Sequence, residues 1–165
     1  MSELRIRDAA ETDLPAILAL HNHHIATSVA IWRYEKADLA ERRTWWRDRI
    51  ANDYPVIAAE RDGEVVGFGS YGSFRAGAGY GKTVENSIYV RDDQQRRGVA
   101  RALMSDLIAR AKAQGRHVMV AGIGLPNDAS VALHASLGFT DVGVLREIGW
   151  KFDQWLDLRL MQKRL

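Results

Sequence analysis

The sequence predicts a single α/β domain in which helices are layered around one mixed sheet. Three observations predict it. Periodicities run in the order strand, helix, helix, three strands, helix, strand, helix, two strands, an order that closes as a layered α/β structure. The run His117 to Ile123 is almost continuously apolar, as in a strand buried on both faces. A length of 165 residues suits one domain, spanning 1–165, with a sizeable core.

Each element has its own local reason. Leu4-Arg5-Ile6-Arg7 alternates and reads as a first strand. Thr12 suits an N-cap, with Pro15 in the first helical turn. Leu14, Ile17, Leu18 and Leu20 to Ile25 then form an apolar stripe. Ala26 to Tyr34 has no period and reads as a loop. Ala37 to Asn52 is a second helix, apolar at Leu39, Trp45, Trp46 and Ile50. Val56 to Glu60 is a strand, Asp62-Gly63 a hairpin turn, and Val65 to Tyr71 the returning strand. Gly77, Gly79 and Gly81 fill the connection from Phe74 to Gly81. Gly115 ends the central helix. Asn127 or Asp128 caps a short helix through Leu137, and Gly138 ends it. Val142 to Trp150 and Phe152 to Met161 close the chain as a hairpin.

Composition narrows the function. A net charge of +2 gives no broad attraction to nucleic acid or membrane, and neither partner is expected. There is no cysteine, hence no disulfide, thiolate metal site or cysteine nucleophile. The N-terminus lacks a basic-then-apolar signal pattern, and no apolar run reaches about 18 residues. A cytoplasmic protein is the expectation. His21 and His24 have the helical spacing of metal ligands. No acidic or cysteine partner accompanies them, so no metal is expected.

The chain is organised around Thr83 to Met104. Val84, Ile88 and Val90 mark a strand, which breaks at Arg91-Asp92-Asp93. Gln95-Arg96-Arg97-Gly98-Val99-Ala100 follows, and Val99, Leu103 and Leu107 start an amphipathic helix at once. A strand, a basic loop with a glycine, and a helix N-terminus together make an anion site. Free N–H groups point out of the first turn and the helix dipole favours negative charge. Gly98 lets a phosphate approach without a Cβ in the way. The loop has neither the Gly-Lys-Ser/Thr of a Walker loop nor the three spaced glycines of a dinucleotide fingerprint. Alternation puts Glu85 on the face opposite Val84 and Ile88. A carboxylate inside a sheet is costly unless it faces a wet cleft or a partner. Glu85 therefore reads either as an edge-strand charge or as a base.

The spacing Gln95-x-x-Gly98-x-Ala100 resembles the acetyl-coenzyme A pyrophosphate loop of the GNAT acetyltransferases. Asn127-x-x-Ser130, then Leu137-Gly138-Phe139, resembles the helix whose asparagine meets the pantetheine arm in that family. Gly122 to Asp128, Ala26-Thr27-Ser28 and Trp155-Leu156-Asp157 narrow the likeness to the phosphinothricin and methionine-sulfoximine N-acetyltransferases. The resemblance covers nearly the whole chain. It implies a central mixed, mostly antiparallel twisted sheet flanked by helices, and a homodimer.

It also implies an activity. Acetyl-CoA would be the co-substrate, and the acceptor the α-amine of a small amino-acid-like compound such as methionine sulfoximine, methionine sulfone or phosphinothricin. Glu85 would take the ammonium proton. The backbone of Ile88, Tyr89 and Val90 would hold the thioester carbonyl. Gln95 to Arg101, namely Gln95, Arg96, Arg97, Gly98, Val99, Ala100 and Arg101, would cradle the phosphates, and Asn127 the pantetheine. Arg75 and Tyr80 match acceptor-site positions by their offset from Glu85; Arg75 would pair with an acceptor carboxylate or oxyanion, and Tyr80 would line the cleft. Trp32 is either core packing or a wall of the acceptor cleft. His134 stands where many family members have a tyrosine that protonates the leaving thiolate. It reads as a proton donor, a substrate contact or a buried structural residue. Acetylation of a protein N-terminus or lysine, and a non-catalytic acyl-CoA-binding domain, are the alternative functions.

Overall fold

The computed structural model describes residues 3–165. Seven strands form one sheet in the order β1-β2-β3-β4-β5-β7-β6. They are β1 Arg5–Asp8, β2 Val56–Arg61, β3 Glu64–Ser73, β4 Thr83–Val90, β5 Val118–Gly124, β6 Thr140–Lys151 and β7 Gln154–Arg164. Four helices flank it: α1 Leu14–Thr27, α2 Leu39–Ala51, α3 Val99–Ala113 and α4 Asp128–Ser136. Neighbouring strands are antiparallel except β4 and β5, which are parallel. The fold is therefore the expected mixed, mostly antiparallel α/β sheet.

Helix α3 buries Val99, Leu103, Met104, Leu107, Ile108 and Ala111 on one sheet face. A fully buried Val, Leu, Ile or Met side chain contributes about 1.5–3 kcal/mol relative to exposure. Gly67 and Gly69 of β3 let the helix come close: a Cβ at Gly67 would meet Val99 at 3.1 Å, and one at Gly69 would meet Leu107 at 3.2 Å. On the other face Leu14, Ile17 and Leu20 of α1 pack with Val56, Ala58 and Phe68, and α2 adds Trp45 and Trp46.

Three local expectations change. Thr12 lies inside a short 3-10 turn, Glu11–Asp13, and Asp13 takes the cap position of α1. Its carboxylate accepts from Ala10 N at 2.8 Å and from Arg7 at 2.6 and 3.0 Å, fixing the turn there. Leu39 and Ile50 are 36% and 49% exposed, whereas Arg42, charged, is 6% exposed on the inner face of α2. The Arg42 guanidinium lies 4.2 Å over the Trp45 ring, which makes burial of a cation tolerable. Phe152 belongs to the turn between β6 and β7, not to a strand. Phe152 and Asp153 both adopt left-handed φ, 53° and 55°.

Candidate active site

The sheet parts at one place. β4 and β5 pair only from Thr83↔Val118 to Glu85↔Val120. Beyond that, β4 runs on to Val90 paired with β3 alone, and β5 runs on to Gly124 paired with β7. The edge of β4 toward β5 thus has no strand partner where Ile88, Tyr89 and Val90 lie. Asn86 stands at the parting. Its amide donates to Val120 O at 3.2 Å, and its Oδ1 lies 3.2 Å from His134 Nε2.

The basic loop lies at the far end of β4. Gln94 is buried and accepts from Arg61 at 2.6 Å, anchoring the loop base. Gln95 donates to Asp92 at 3.0 Å. Arg96 and Gly98 adopt left-handed φ of 59° and 81°, which turns the chain sharply into α3. Gly98 is the N-cap, with no side-chain cap bond, and Ala102 N is bonded to Gly98 O. The N–H groups of Val99, Ala100 and Arg101 remain free for a ligand. A Cβ at Gly98 would touch nothing within 4 Å, so the protein itself does not fill that space. Asp92 and Asp93 are paired with His23 at 2.7 Å and Arg91 at 2.6 Å. Arg96 and Arg97 have no ion-pair partner among the described residues. Unused donors, open space and unpaired guanidiniums fit a pyrophosphate. Arg101 instead donates to Ser136 Oγ at 2.8 Å, tying α3 to α4.

Asn127 caps α4 as expected, its Oδ1 accepting from Ser130 N at 3.2 Å. Its side-chain NH₂ is left to donate elsewhere. His134 is 3% exposed and packs edge-on against Phe139. Nδ1 lies 2.7 Å from Ser130 O, so it carries the proton of the neutral ring, while Nε2 faces Asn86. Burial pushes its pKa down. Ser130 O and Asn86 Oδ1 are both acceptors, so the neutral ring can donate to only one of them at a time, and the tautomer protonated at Nδ1 holds no proton at Nε2.

On the α1–α2 face of the sheet, four glycines form a floor. Glu85 Oε1 lies 3.0 Å from where a Cβ of Gly122 would stand. The Trp32 ring covers Gly124 and Gly149. The Arg49 guanidinium occupies the space of a Cβ on Gly72, and Gly72 is the cross-strand partner of Glu85. Glu85 is half-buried, with no hydrogen bond or ion pair among the described residues. Burial raises its pKa, and the charges of Arg49 and Arg75 pull it back. Trp32 is packed on Gly124 and Gly149, its Nε1 donating to Val29 O at 2.9 Å. Arg75 is exposed and stacks over Phe74 at 5.1 Å; Tyr80, 44% exposed, meets the same ring at 5.9 Å. Phe74 thus holds both in the connection between β3 and β4.

Helix α1 closes the other side. His21 and His24 both face Tyr89, with centroids 6.3 and 5.4 Å away. His21 is held neutral by burial, its pKa pushed down to about 4. His24 Nε2 lies 3.2 Å from Val90 O. The pair is divided between these contacts, and no cluster of three metal-ligating side chains occurs among the described residues.

Sequence reasoning missed Asn86, Arg42, Arg49 and Lys151. Lys151 is 2% exposed, and its Nζ donates to Ile25 O, Ser28 O and Ile31 O at 2.6, 2.8 and 2.6 Å. It closes the C-terminus of α1 and fixes the loop that carries Trp32. Charge alternation near Trp150 gave no sign of it. A cleft of about 740 Å³ lies elsewhere, lined by Asp128, Arg146, Glu147, Trp155 and Asp157 among others. Within it Arg146 and the backbone N of Glu147 both donate to Asp157, at 2.8 Å.

Known proteins share this fold. Residues 17–139 match the Acetyltransferase (GNAT) family. The chain is 47% identical to the L-methionine sulfoximine/L-methionine sulfone acetyltransferase of Pseudomonas aeruginosa, covering 97% of this chain and 94% of that one. It is 36% identical to the phosphinothricin N-acetyltransferase of Alcaligenes faecalis, over 97% and 82% of the two chains. The structure of yncA from Salmonella typhimurium, solved with its cofactor acetyl-CoA, superposes with a TM-score of 0.96 at 42% identity, covering 98% and 94%.

Proposed function

The chain belongs to the GNAT acetyltransferase family and is an N-acetyltransferase; from that premise we propose that it acetylates the α-amine of small amino-acid-like acceptors such as methionine sulfoximine, methionine sulfone or phosphinothricin. The observation that carries this reading is Glu85, a half-buried carboxylate without a protein partner, placed where β4 and β5 part.

Acetyl-CoA supplies the activated acetyl group. The free N–H groups of Val99, Ala100 and Arg101, with Arg96, Arg97 and Gly98, hold its phosphates, and Gln95 shapes the turn. Asn127 offers its NH₂ to the pantetheine. Glu85 accepts the proton of the acceptor's ammonium, leaving a neutral amine free to attack directly in a ternary complex. Backbone N–H groups on the open edge of β4, from Ile88 through Tyr89 to Val90, meet the charge that develops on the acyl oxygen. We assign His134, beside Asn86 at the parting, the return of a proton to sulfur, which requires the tautomer protonated at Nε2. Trp32, Arg75 and Tyr80 line the acceptor cleft. No metal enters this scheme.

The same reading implies a homodimer in the cytoplasm, where acetyl-CoA is made and consumed. Exposed Val142, Leu145, Ile148, Trp150 and Trp155 on the β6–β7 hairpin support association of two copies.

Steady-state release of free thiol from acetyl-CoA with methionine sulfone tests the proposal. Glu85→Gln should lower kcat/KM by about 10²–10⁴-fold and leave acetyl-CoA binding intact. In the native enzyme kcat/KM should fall as pH drops through the raised Glu85 pKa, because the protonated carboxyl accepts nothing. A Glu85→Gln enzyme with native rate and the same acid limb would sink the assignment.

A further inference from the structure

Asn86 stands at the parting of β4 and β5, and two contacts fix its amide. The NH₂ donates to Val120 O at 3.2 Å, so Oδ1 is the atom turned toward His134 Nε2, also at 3.2 Å. A backbone carbonyl accepts and never donates, and Val120 O therefore decides which end of the amide the imidazole meets. On the other side of the ring, Ser130 O lies 2.7 Å from Nδ1. The buried imidazole is thus set between two acceptors. A neutral ring has one N–H, and one of the two oxygens would then face a lone pair inside the protein, which is unfavourable. The imidazolium has two N–H groups and meets both.

No neighbouring charge imposes that protonation. Phe139 packs edge-on against the ring. Asp128 lies in the first turn of α4, Arg101 of α3 is bonded to Ser136 Oγ, and Lys163 of β7 lies against Gly138. None of the three moves the His134 pKa, which burial lowers and the bond to Ser130 raises. Glu85 precedes Asn86 in β4 and points to the opposite sheet face. The carboxylate and the Asn86–His134 pair therefore flank the parting from its two sides.

We infer that Asn86 is a positioning residue: by offering Oδ1 to Nε2, it keeps a proton on the His134 nitrogen that faces the parting. The inference rests on His134 being the proton donor in the acetyl transfer proposed above. In that transfer the acceptor nitrogen bonds to the acetyl carbon, and the C–S bond breaks with its electron pair going to sulfur. Nε2 gives its proton to that sulfur, and the ring is left neutral with its one N–H on Nδ1, toward Ser130 O. The acceptor nitrogen loses two protons in passing from ammonium to amide. One restores His134 through solvent, and the other is the proton that the reaction releases.

Heteronuclear NMR of the whole protein, labelled at the histidine ring nitrogens, reads the proton on each nitrogen without turnover, and His134→Gln assigns the signals. Asn86→Leu keeps the bulk and removes the acceptor. The His134 titration midpoint should fall by about one pH unit, an about tenfold loss of imidazolium and the low end for one hydrogen bond to a charged group. The alkaline limb of kcat should move with it, while the KM for acetyl-CoA stays within about twofold of native. Asn86→Asp keeps an acceptor and adds a negative charge, so it should raise the midpoint, and it reads the contact should the leucine variant fail to fold. A midpoint that either variant leaves unmoved would overturn the inference. A midpoint that shifts while the kcat limb stays in place would mean that sulfur takes its proton from elsewhere; the donor assignment then fails while the hold of Asn86 on His134 stands.

Discussion

Replacing Lys151 by methionine removes one charge and keeps most of the side-chain stem. The consequence follows from what Nζ holds. Three backbone carbonyls, from Ile25, Ser28 and Ile31, converge on it at 2.6–2.8 Å, inside a region where the side chain is 2% exposed. Hydrogen bonds to a charged group contribute about 1.5–3 kcal/mol each, and desolvating the ammonium offsets several kcal/mol of that sum. Removing the cation leaves three carbonyls turned inward, so a net loss of about 3–5 kcal/mol is expected. For a chain of this size that lowers Tm by about 10–15 °C. Calorimetry reads it. The loop should loosen before the core does, because its remaining ties are few: the Tyr34 hydroxyl donating to Trp150 O, the exposed Arg33–Glu41 ion pair, and Asn22 bonded to Ala37 N and O at 2.8 and 2.9 Å among them. The KM for acceptor should therefore rise more than the KM for acetyl-CoA. A Tm within about 3 °C of the native value would refute the clamp and the energetics assigned to it.

Two further perturbations separate the coenzyme loop from the scaffold. Gly98→Ala meets no neighbouring atom, and its left-handed φ of 81° costs only about 1 kcal/mol. Acetyl-CoA KM should rise about tenfold or more with little loss of Tm; an unchanged KM would remove the phosphates from this loop. Asp13 is held below its usual pKa by hydrogen bonds from Arg7, so its contribution is present near neutrality and is lost as pH falls through the folded pKa. Asp13→Asn should cost about 2 kcal/mol at pH 7 and flatten the decline of Tm below about pH 4; an acid limb as steep as the native one would contradict it.

Much of the fold was legible locally. The order of elements, the Asp62-Gly63 turn, the stop at Gly115 and the Asn127 cap all follow from residues within a few positions of one another. Glu85 was assigned its sheet face by alternation alone, and the basic loop by composition beside a helix start. What failed was local inference about partners. The α2 pattern marked only Leu39, Trp45, Trp46 and Ile50 for burial, yet Arg42 and Arg49 turn inward because Trp45 and Gly72 receive them. Phe152 continued an apolar pattern that the chain interrupts with two left-handed residues.

Local residue pattern was enough to set which segments become strands and helices, and that an anion-binding helix start follows a strand bearing a carboxylate. Those are properties of spacing along one chain. Tertiary structure alone decided the parting of β4 from β5, the seat of Arg49 opposite Glu85, and the reach of Lys151 across 126 residues to Ile25. Periodicity tells a side chain which face it occupies. It carries no information about which distant group will share that face, and the site consists of such pairs.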